Sequence, residues 1–247
     1  MRIAREKILF YTPKVQMYME IAENETVYGA KFEPSSGVLF GQVADRNPID
    51  DSMAMVYWEL SGNSPVVMSA FDLPVLKRAA KSGKAIEVAV NFDSASITDL
   101  SEYRLSCLEE GFTALAPYSE KCPVFIRIAA EPDIWTDPVS PSVYIDGYRR
   151  VAEMCRRLLP NAALVWSVNH VSSWGNNADD YYPGDDVVDW VGISLYATPY
   201  FLDKAYEKND RQDEILFHEG RGADPVIMVK KVVEAYGDRK PIMLSEC

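Results

Sequence analysis

A (β/α)₈ barrel is the fold class the sequence predicts, and three observations predict it. Short apolar runs alternate with amphipathic segments along most of the 247 residues. Such alternation belongs to βα units around a parallel sheet. The runs are continuous rather than every-other-residue apolar, as strands buried on both faces must be. Gly-rich phosphate loops of the GxGxxG or GxxxxGK[ST] kind are absent, so a doubly wound nucleotide-binding sheet is the weaker reading.

Residues 1–36 read differently from the rest. Val15, Met17, Met19 and Ile21 alternate with polar neighbours, which predicts a strand, and Ile8–Tyr11 and Thr26–Phe32 are further candidates. This part is expected to be an N-terminal extension or the tail of an upstream β-rich segment. The barrel is expected over 37–247. Its first strand is Gly37–Ala44, followed by a short helix over Ser52–Leu60 and a strand over Pro65–Phe71. Pro74–Lys81 is a helix that Gly83 is placed to end. Ala85–Asn91 is a strand, and Asp99–Ala116 a helix with Gly111 as a possible break. Val124–Ala130 is the fourth strand. Ser142 is a good N-cap for the next helix, in which Ile145, Tyr148, Val151, Cys155 and Leu158 recur at helical spacing. Arg149, Arg150, Arg156 and Arg157 then read as a solvated face. Ala162–Asn169 and Val187–Tyr196 are strands, Pro225–Tyr236 is a helix, and Pro241–Glu246 is the seventh strand. An eighth βα unit does not appear before Cys247, so the barrel is expected to be incomplete.

Composition narrows the function classes. Charged residues make up 25% and the net charge is -12, which argues against a nucleic-acid partner, since phosphate backbones select basic faces. No stretch approaches the length of a membrane span. Four cysteines without a CxxC pair and two distant histidines give no metal-site spacing. Buried thiols are the preferred reading of the cysteines, with a Cys107–Cys122 disulfide open for a secreted protein. The acidic run Asp179, Asp180, Asp185 and Asp186 lacks calcium-loop spacing and reads as a solvated loop. No cofactor is expected.

The chemistry is expected at the C-terminal ends of the strands, where barrels carry their active sites. Val124–Ala130 carries one charge, Arg127, and ends on Glu131. Alternation places Arg127 and Glu131 on one face, an expensive arrangement without partners. Glu246 ends the last strand. Asn169, His170 and Tyr196 end others, and Trp135 and Trp174 lie just beyond. Carboxylates, amides and indoles around a rim suit a sugar, which offers hydroxyls and C–H faces. Two carboxyl groups facing a glycosidic bond are what retaining hydrolysis requires. Arg127 is placed to keep a neighbouring carboxylate ionised, and Tyr196 to donate to it.

Several segments, in order, resemble the family 26 glycoside hydrolases, β-mannanases and relatives of clan A. Val124-Phe-Ile-Arg-Ile-Ala-Ala-Glu131 resembles the family's fourth strand, with Arg four residues before the acid/base. Ala163-Leu-Val-Trp-Ser-Val-Asn169 is similar to its fifth. Tyr181-Tyr-Pro-Gly-Asp-Asp-Val-Val-Asp-Trp-Val-Gly192 resembles the approach to its sixth, Lys240–Glu246 its seventh, and Glu33–Gly41 its first. The resemblance implies a retaining glycosidase acting on a β-linked polysaccharide such as β-mannan. It implies Glu131 as acid/base, Glu246 as nucleophile, Arg127 and Tyr196 in support, and a secreted or cell-surface location. Trp135, Asn169, His170 and Trp174 are the expected substrate contacts. One departure stands out: Ala130 occupies the position where the family carries His. It keeps open a rival reading, a carbohydrate-binding or cell-surface barrel that has lost turnover.

Overall fold

The computed structural model describes residues 5–11, 16–22, 28–33, 41–43, 53–132, 139–169, 177–195 and 225–246. The N-terminal part forms an antiparallel hairpin of β1 (Arg5–Tyr11) and β2 (Gln16–Ala22). Seven parallel strands then make one sheet in chain order: β3 (Gly41–Val43), β4 (Met53–Glu59), β5 (Ala85–Asn91), β6 (Val124–Ile128), β7 (Ala163–Asn169), β8 (Trp190–Ser194) and β9 (Ile242–Glu246). Sequential order with helices between strands is the barrel topology predicted.

Two elements of the barrel differ from the sequence reading. Met53–Glu59, expected to be helical, is the second strand of the sheet, paired in parallel with β5 along its whole length. Met and Ala favour helices, but Met53 and Met55 are buried on one face while Val56 and Trp58 are buried on or near the other. Only a strand between two layers buries both sets. Pro65–Phe71, expected to be a strand, contributes a single antiparallel bridge from Val66 to Glu59. It then turns into α1 (Asp72–Ser82), which Gly83 ends in the left-handed conformation (φ 67°), the geometry a Cβ disfavours.

The helices pack on the outside. α2 (Ser94–Thr98) starts on a capping box, in which the Asp93 carboxylate accepts from the Ser96 amide and the Ser96 hydroxyl accepts from the Asp93 amide. α3 (Glu102–Ser119) runs unbroken through Gly111. A Cβ there would sit 2.3 Å from Val67 Cγ1 and 3.0 Å from the Trp58 ring, so the glycine lets the helix lie against the indole rather than break. α4 (Pro141–Leu158) has Ser140, not Ser142, at its N-cap position, without a side-chain capping bond, and Pro141 in its first turn. Its buried stripe is Tyr144, Gly147, Tyr148, Val151, Ala152 and Cys155. α5 (Pro225–Tyr236) matches the expected bounds.

The arginines of α4 are not a freely solvated face. Arg149 pairs with Asp186 at 2.5 Å, Arg156 with Asp189 at 2.9 Å, and Arg157 with Glu109 at 3.2 Å. The acidic run is likewise engaged. Asp185 accepts from Arg239 and from the Tyr182 hydroxyl, and Asp179 from the Tyr236 hydroxyl. The Arg239 guanidinium lies over both tyrosine rings, 5.4 and 5.2 Å from their centroids. The segment before β8 is thus fastened to α5 and to the chain entering β9. Cys107, Cys122 and Cys155 are free thiols.

Alternation sorts the sheet into two cores. Trp58, Ile86, Val88, Ile126, Leu164, Trp166, Val191 and Ile193 face the helices. Met53, Ala85, Phe125, Ala163, Val165 and Trp190 face inward, joined by Phe32 and Met243. These inward residues lie at or near the N-terminal ends of their strands and form a floor. Residues 28–33, of which 28–32 fall in the expected strand Thr26–Phe32, instead turn beneath it. The Lys31 ammonium donates to the carbonyls of Pro160 and Ala162 at 2.7 and 2.8 Å. Trp190 Nε1 donates to the Lys31 carbonyl at 2.8 Å. The Phe32 ring meets Phe125 at 5.4 Å. With the floor closed by aromatic packing, the opposite, C-terminal mouth is left for chemistry.

Candidate active site

Arg127 organises the mouth. It lies on the inward face of β6, is 2% exposed, and reaches across the barrel to β9. Its Nη2 donates to Glu246 Oε2 at 2.5 Å, and its Nη1 to the Ser245 carbonyl at 3.2 Å. Its Nε lies 3.8 Å from Glu87 Oε1 on β5. In a flat sheet β6 and β9 would be roughly 14 Å apart, beyond the reach of one side chain. The contact exists because the sheet curls. Tyr57 on β4 makes the same point more strongly. Its phenol feels the charge of the Glu246 carboxylate, although five strand spacings, roughly 24 Å in a flat sheet, separate β4 from β9.

The electrostatics follow from burial. Glu87 is 3% exposed. Burial pushes its carboxyl up to about 7; Arg127 opposes that rise and Glu246 adds to it. Arg127 does not bring Glu87 back to the ordinary range because its charge is shared with Glu246. Burial pulls Arg127 down, but Glu87 and Glu246 outweigh it and leave the guanidinium above its usual value. Burial, then the charge of Glu246, raises the Tyr57 phenol to about 12, so it stays a donor throughout the neutral range. Neither Glu87 Oε1 nor Arg127 Nε has a hydrogen-bond partner among the described residues.

A stability consequence can be measured. Folded Glu87 holds its proton more tightly than an unfolded glutamate, whose value is 4.5. Its contribution is therefore complete below about pH 4.5 and is lost as pH rises through about 7. The full loss is about 3 kcal/mol. Thermal unfolding is expected to show falling stability from pH 5 to pH 8, and Glu87→Gln to flatten that slope. An unchanged slope in the variant would assign it to another group.

Glu131 sits where β6 ends, and the backbone there departs from the expected strand. β6 stops at Ile128, and both Ala129 (φ 43°) and Glu131 (φ 56°) are left-handed. Residues other than glycine rarely adopt that region, and such strain collects at functional sites. Alternation therefore does not carry through to Glu131, contrary to the reading that set it on one face with Arg127. The Ala129 amide donates to Val90 on β5 at 2.9 Å, and the Glu131 amide to Ser167 on β7 at 2.8 Å. The Tyr144 hydroxyl from α4 holds the Ala129 carbonyl at 2.9 Å. The bend moves the chain from one neighbouring strand to the other and delivers Glu131, 6% exposed, to the top of β7.

The register places the remaining residues. Asn169 pairs with Ser194, and Ser194 with Glu246, across a bulge between β8 and β9. Asn169 and Glu246 therefore lie at one level of the rim, and Glu131 enters beside Ser167, two residues before Asn169. Gly192 below them leaves room for the Ser167–Ser245 hydroxyl pair at 2.6 Å; a Cβ would lie 2.8 Å from Ser245 Oγ. Trp135, His170, Trp174 and Tyr196 lie outside the described residues. Tyr57 and Glu87 were missed in the sequence. Glu87 carried the same signal as Arg127, a lone charge inside a buried apolar strand. Tyr57 was hidden by the helical reading of its segment. Among the described residues no cluster of His, Cys, Asp and Glu is arranged to hold a metal, and no helix is long and apolar enough to cross a membrane.

Comparison with known proteins gives the fold a relative. A GH26 β-mannanase from Bacteroides ovatus superposes with a TM-score of 0.51 over 89% of this chain and 68% of that one, at 16% identity. The chain has the fold of the family 26 barrels. The Bacillus subtilis mannanase man26 gives a TM-score of 0.47 at 13% identity, over 78% of this chain and 70% of that one. In sequence, the β-1,3-xylanase TXYA from a Vibrio species is 33% identical over 78 residues, which are 30% of this chain and 17% of the xylanase. The match thus spans about a sixth of that relative. No family model matches the chain.

Proposed function

We propose that the protein is a retaining glycoside hydrolase acting on a β-linked polysaccharide, with Glu246 as nucleophile and Glu131 as acid/base. The observation that carries the reading is the Arg127–Glu246 pair at the barrel mouth. A carboxylate bonded to a buried guanidinium at 2.5 Å is favoured in its ionised form. It nevertheless keeps a side-chain exposure of 24%, which leaves it open to a ligand in the mouth.

In the first step a Glu246 oxygen attacks the anomeric carbon as the glycosidic C–O bond breaks, and Glu131 gives its proton to the leaving oxygen. In the second, water attacks the same carbon and passes a proton to Glu131. The Glu246–carbon bond breaks, and its electron pair returns to the carboxylate. β-Mannan and β-1,3-xylan are the first substrates to test, the former from the fold relative and the latter from the sequence relative. Ala130 in place of the family's His favours a second reading, a barrel that binds glycan without turnover.

One experiment separates the two. The protein is incubated with β-mannan, β-1,4-glucan, β-1,4-xylan and β-1,3-xylan, and the first-formed reducing ends are followed by proton NMR. Hydrolysis with the β-anomer appearing first is expected for at least one polysaccharide. The α-anomer first would remove the double-displacement mechanism, and binding without any product would establish the non-catalytic barrel.

A further inference from the structure

Glu87 is a buried carboxyl below the mouth that the double displacement does not use. It stands on β5, 3% exposed, in register with Met55 on β4 and Phe125 on β6. Its Oε1 lies 3.8 Å from Arg127 Nε, and both atoms are buried without a hydrogen-bond partner among the described residues. That separation is about 1 Å longer than a charge-assisted bond. A buried donor and acceptor facing each other unbonded call for a reason. The far edge of the guanidinium supplies it: Nη2 donates to Glu246 Oε2 at 2.5 Å and Nη1 to the Ser245 carbonyl at 3.2 Å. Arg127 is thus one cation between two carboxyl groups, bonded to Glu246 and only near Glu87. In the first chemical step the charge of Glu246 goes into the new ester bond. Arg127, 2% exposed, then loses its ionised partner, a costly state for a buried cation. Glu87 is the carboxyl that stands beside it.

We propose that Glu87 is a positioning residue for the reaction, holding Arg127 from behind against the Glu246 carboxylate and taking over the guanidinium's charge while Glu246 is esterified. This rests on the reading of Glu246 as nucleophile. Burial holds the Glu87 carboxyl up at about 7, with Arg127 opposing the rise and Glu246 adding to it. Tyr57 on β4 is the other titratable group within its field. Loss of the Glu246 charge therefore lowers Glu87, which gives any proton it still carries to water. A proton returns when the ester breaks and Glu246 recovers its electron pair, so none is consumed over a turnover. By linkage, the factor by which the ester favours ionised Glu87 is the factor by which ionised Glu87 favours the ester. A charge at this range shifts such an equilibrium by about tenfold or more.

Carboxyl-¹³C glutamate labelling tests the charge exchange without turnover. The Glu87 resonance, assigned by its loss in Glu87→Gln, is titrated in the native protein and in Glu246→Gln, whose amide lacks the charge as the ester does. Its midpoint is expected to fall by about one pH unit or more in Glu246→Gln. A similar fall is expected in native protein arrested as the glycosyl-enzyme with a fluorinated glycosyl donor. Kinetics test the effect on the reaction. With a dinitrophenyl glycoside, whose departure needs no proton, kcat/KM of Glu87→Gln is expected to lie about threefold to tenfold below the native value at pH 8. The difference should narrow below about pH 6, where Glu87 keeps its proton; a loss caused by altered packing would be the same at both pH values. An unmoved midpoint, or equal kcat/KM for the two proteins at pH 8, would overturn the role of Glu87 while the glycosidase reading stands. Failure to hydrolyse any glycan would overturn that reading, and the role with it, whatever the midpoint does.

Discussion

Replacing Glu246 by alanine is expected to lower hydrolysis by a factor on the order of 10⁴ or more, as loss of a covalent nucleophile does in other hydrolases. Replacing Glu131 by alanine should cost less, about 10² to 10⁴, and the loss should depend on the leaving group. An activated aryl glycoside, whose phenolate needs no proton to depart, should lose little in its first step. Azide distinguishes the two roles further. In Glu131→Ala the glycosyl-enzyme still forms, and azide attacks it from the face that water uses, giving a β-glycosyl azide. In Glu246→Ala azide enters the space left by the carboxylate and attacks directly, giving the α-azide. The stereochemistry of the product, read by NMR, assigns nucleophile and acid/base without reference to rate. Reversed products would exchange the two roles, and equal small losses in both variants would place the chemistry elsewhere in the mouth.

What the sequence disclosed about this site, and what it concealed, has a physical pattern. Long, strongly patterned elements were legible: Ala85–Asn91, Ala163–Asn169 and Pro225–Tyr236 lie where apolar runs, prolines and glycines put them. Arg127 and Glu246 were legible because an ionised side chain in or ending a buried strand is costly without a partner. The failures sit where tertiary burial overrode local preference. Met53–Glu59 contains good helix formers, and only the sheet on one side and α3 on the other make it a strand. That error concealed Tyr57, since helical spacing gives no inward face at this position. The turn at Ala129 and Glu131 had no glycine to announce it. The bonds that impose it, to Val90, Ser167 and Tyr144, come from three elements distant in sequence. The floor under the barrel was concealed for the same reason: Lys31 and Phe32 find their partners more than 90 residues away.

Arg127→Met is expected to cost about 3–5 kcal/mol, the usual penalty for removing one partner from a buried charge cluster. Domains of this kind are stable by only about 5–15 kcal/mol, so the variant stands near the threshold of folding. The cost comes less from the lost bonds than from what remains. Glu87 keeps its burial without the cation that faces it among the described residues, and Glu246 and the Ser245 carbonyl each lose their bond from Arg127. The penalty therefore depends on pH. Below about pH 6 Glu87 is largely protonated, its unpaired charge vanishes, and the loss should be smaller than at pH 8. Arg127→Lys keeps the charge but not the fork. It can serve Glu246 or the Ser245 carbonyl but not the geometry that joins both to Glu87, so an intermediate loss is expected. The double variant Arg127→Met with Glu87→Gln should recover part of the stability, with a coupling of about 1–3 kcal/mol between neighbouring sites. Because Arg127 ties β6 to β9, amide exchange should rise first in β9 and not in β5, which is held by full-length partners on both sides. Additive losses in the double variant, or a penalty independent of pH, would show that Glu87 and Arg127 do not share one electrostatic unit. The barrel mouth would then owe its stability to packing alone.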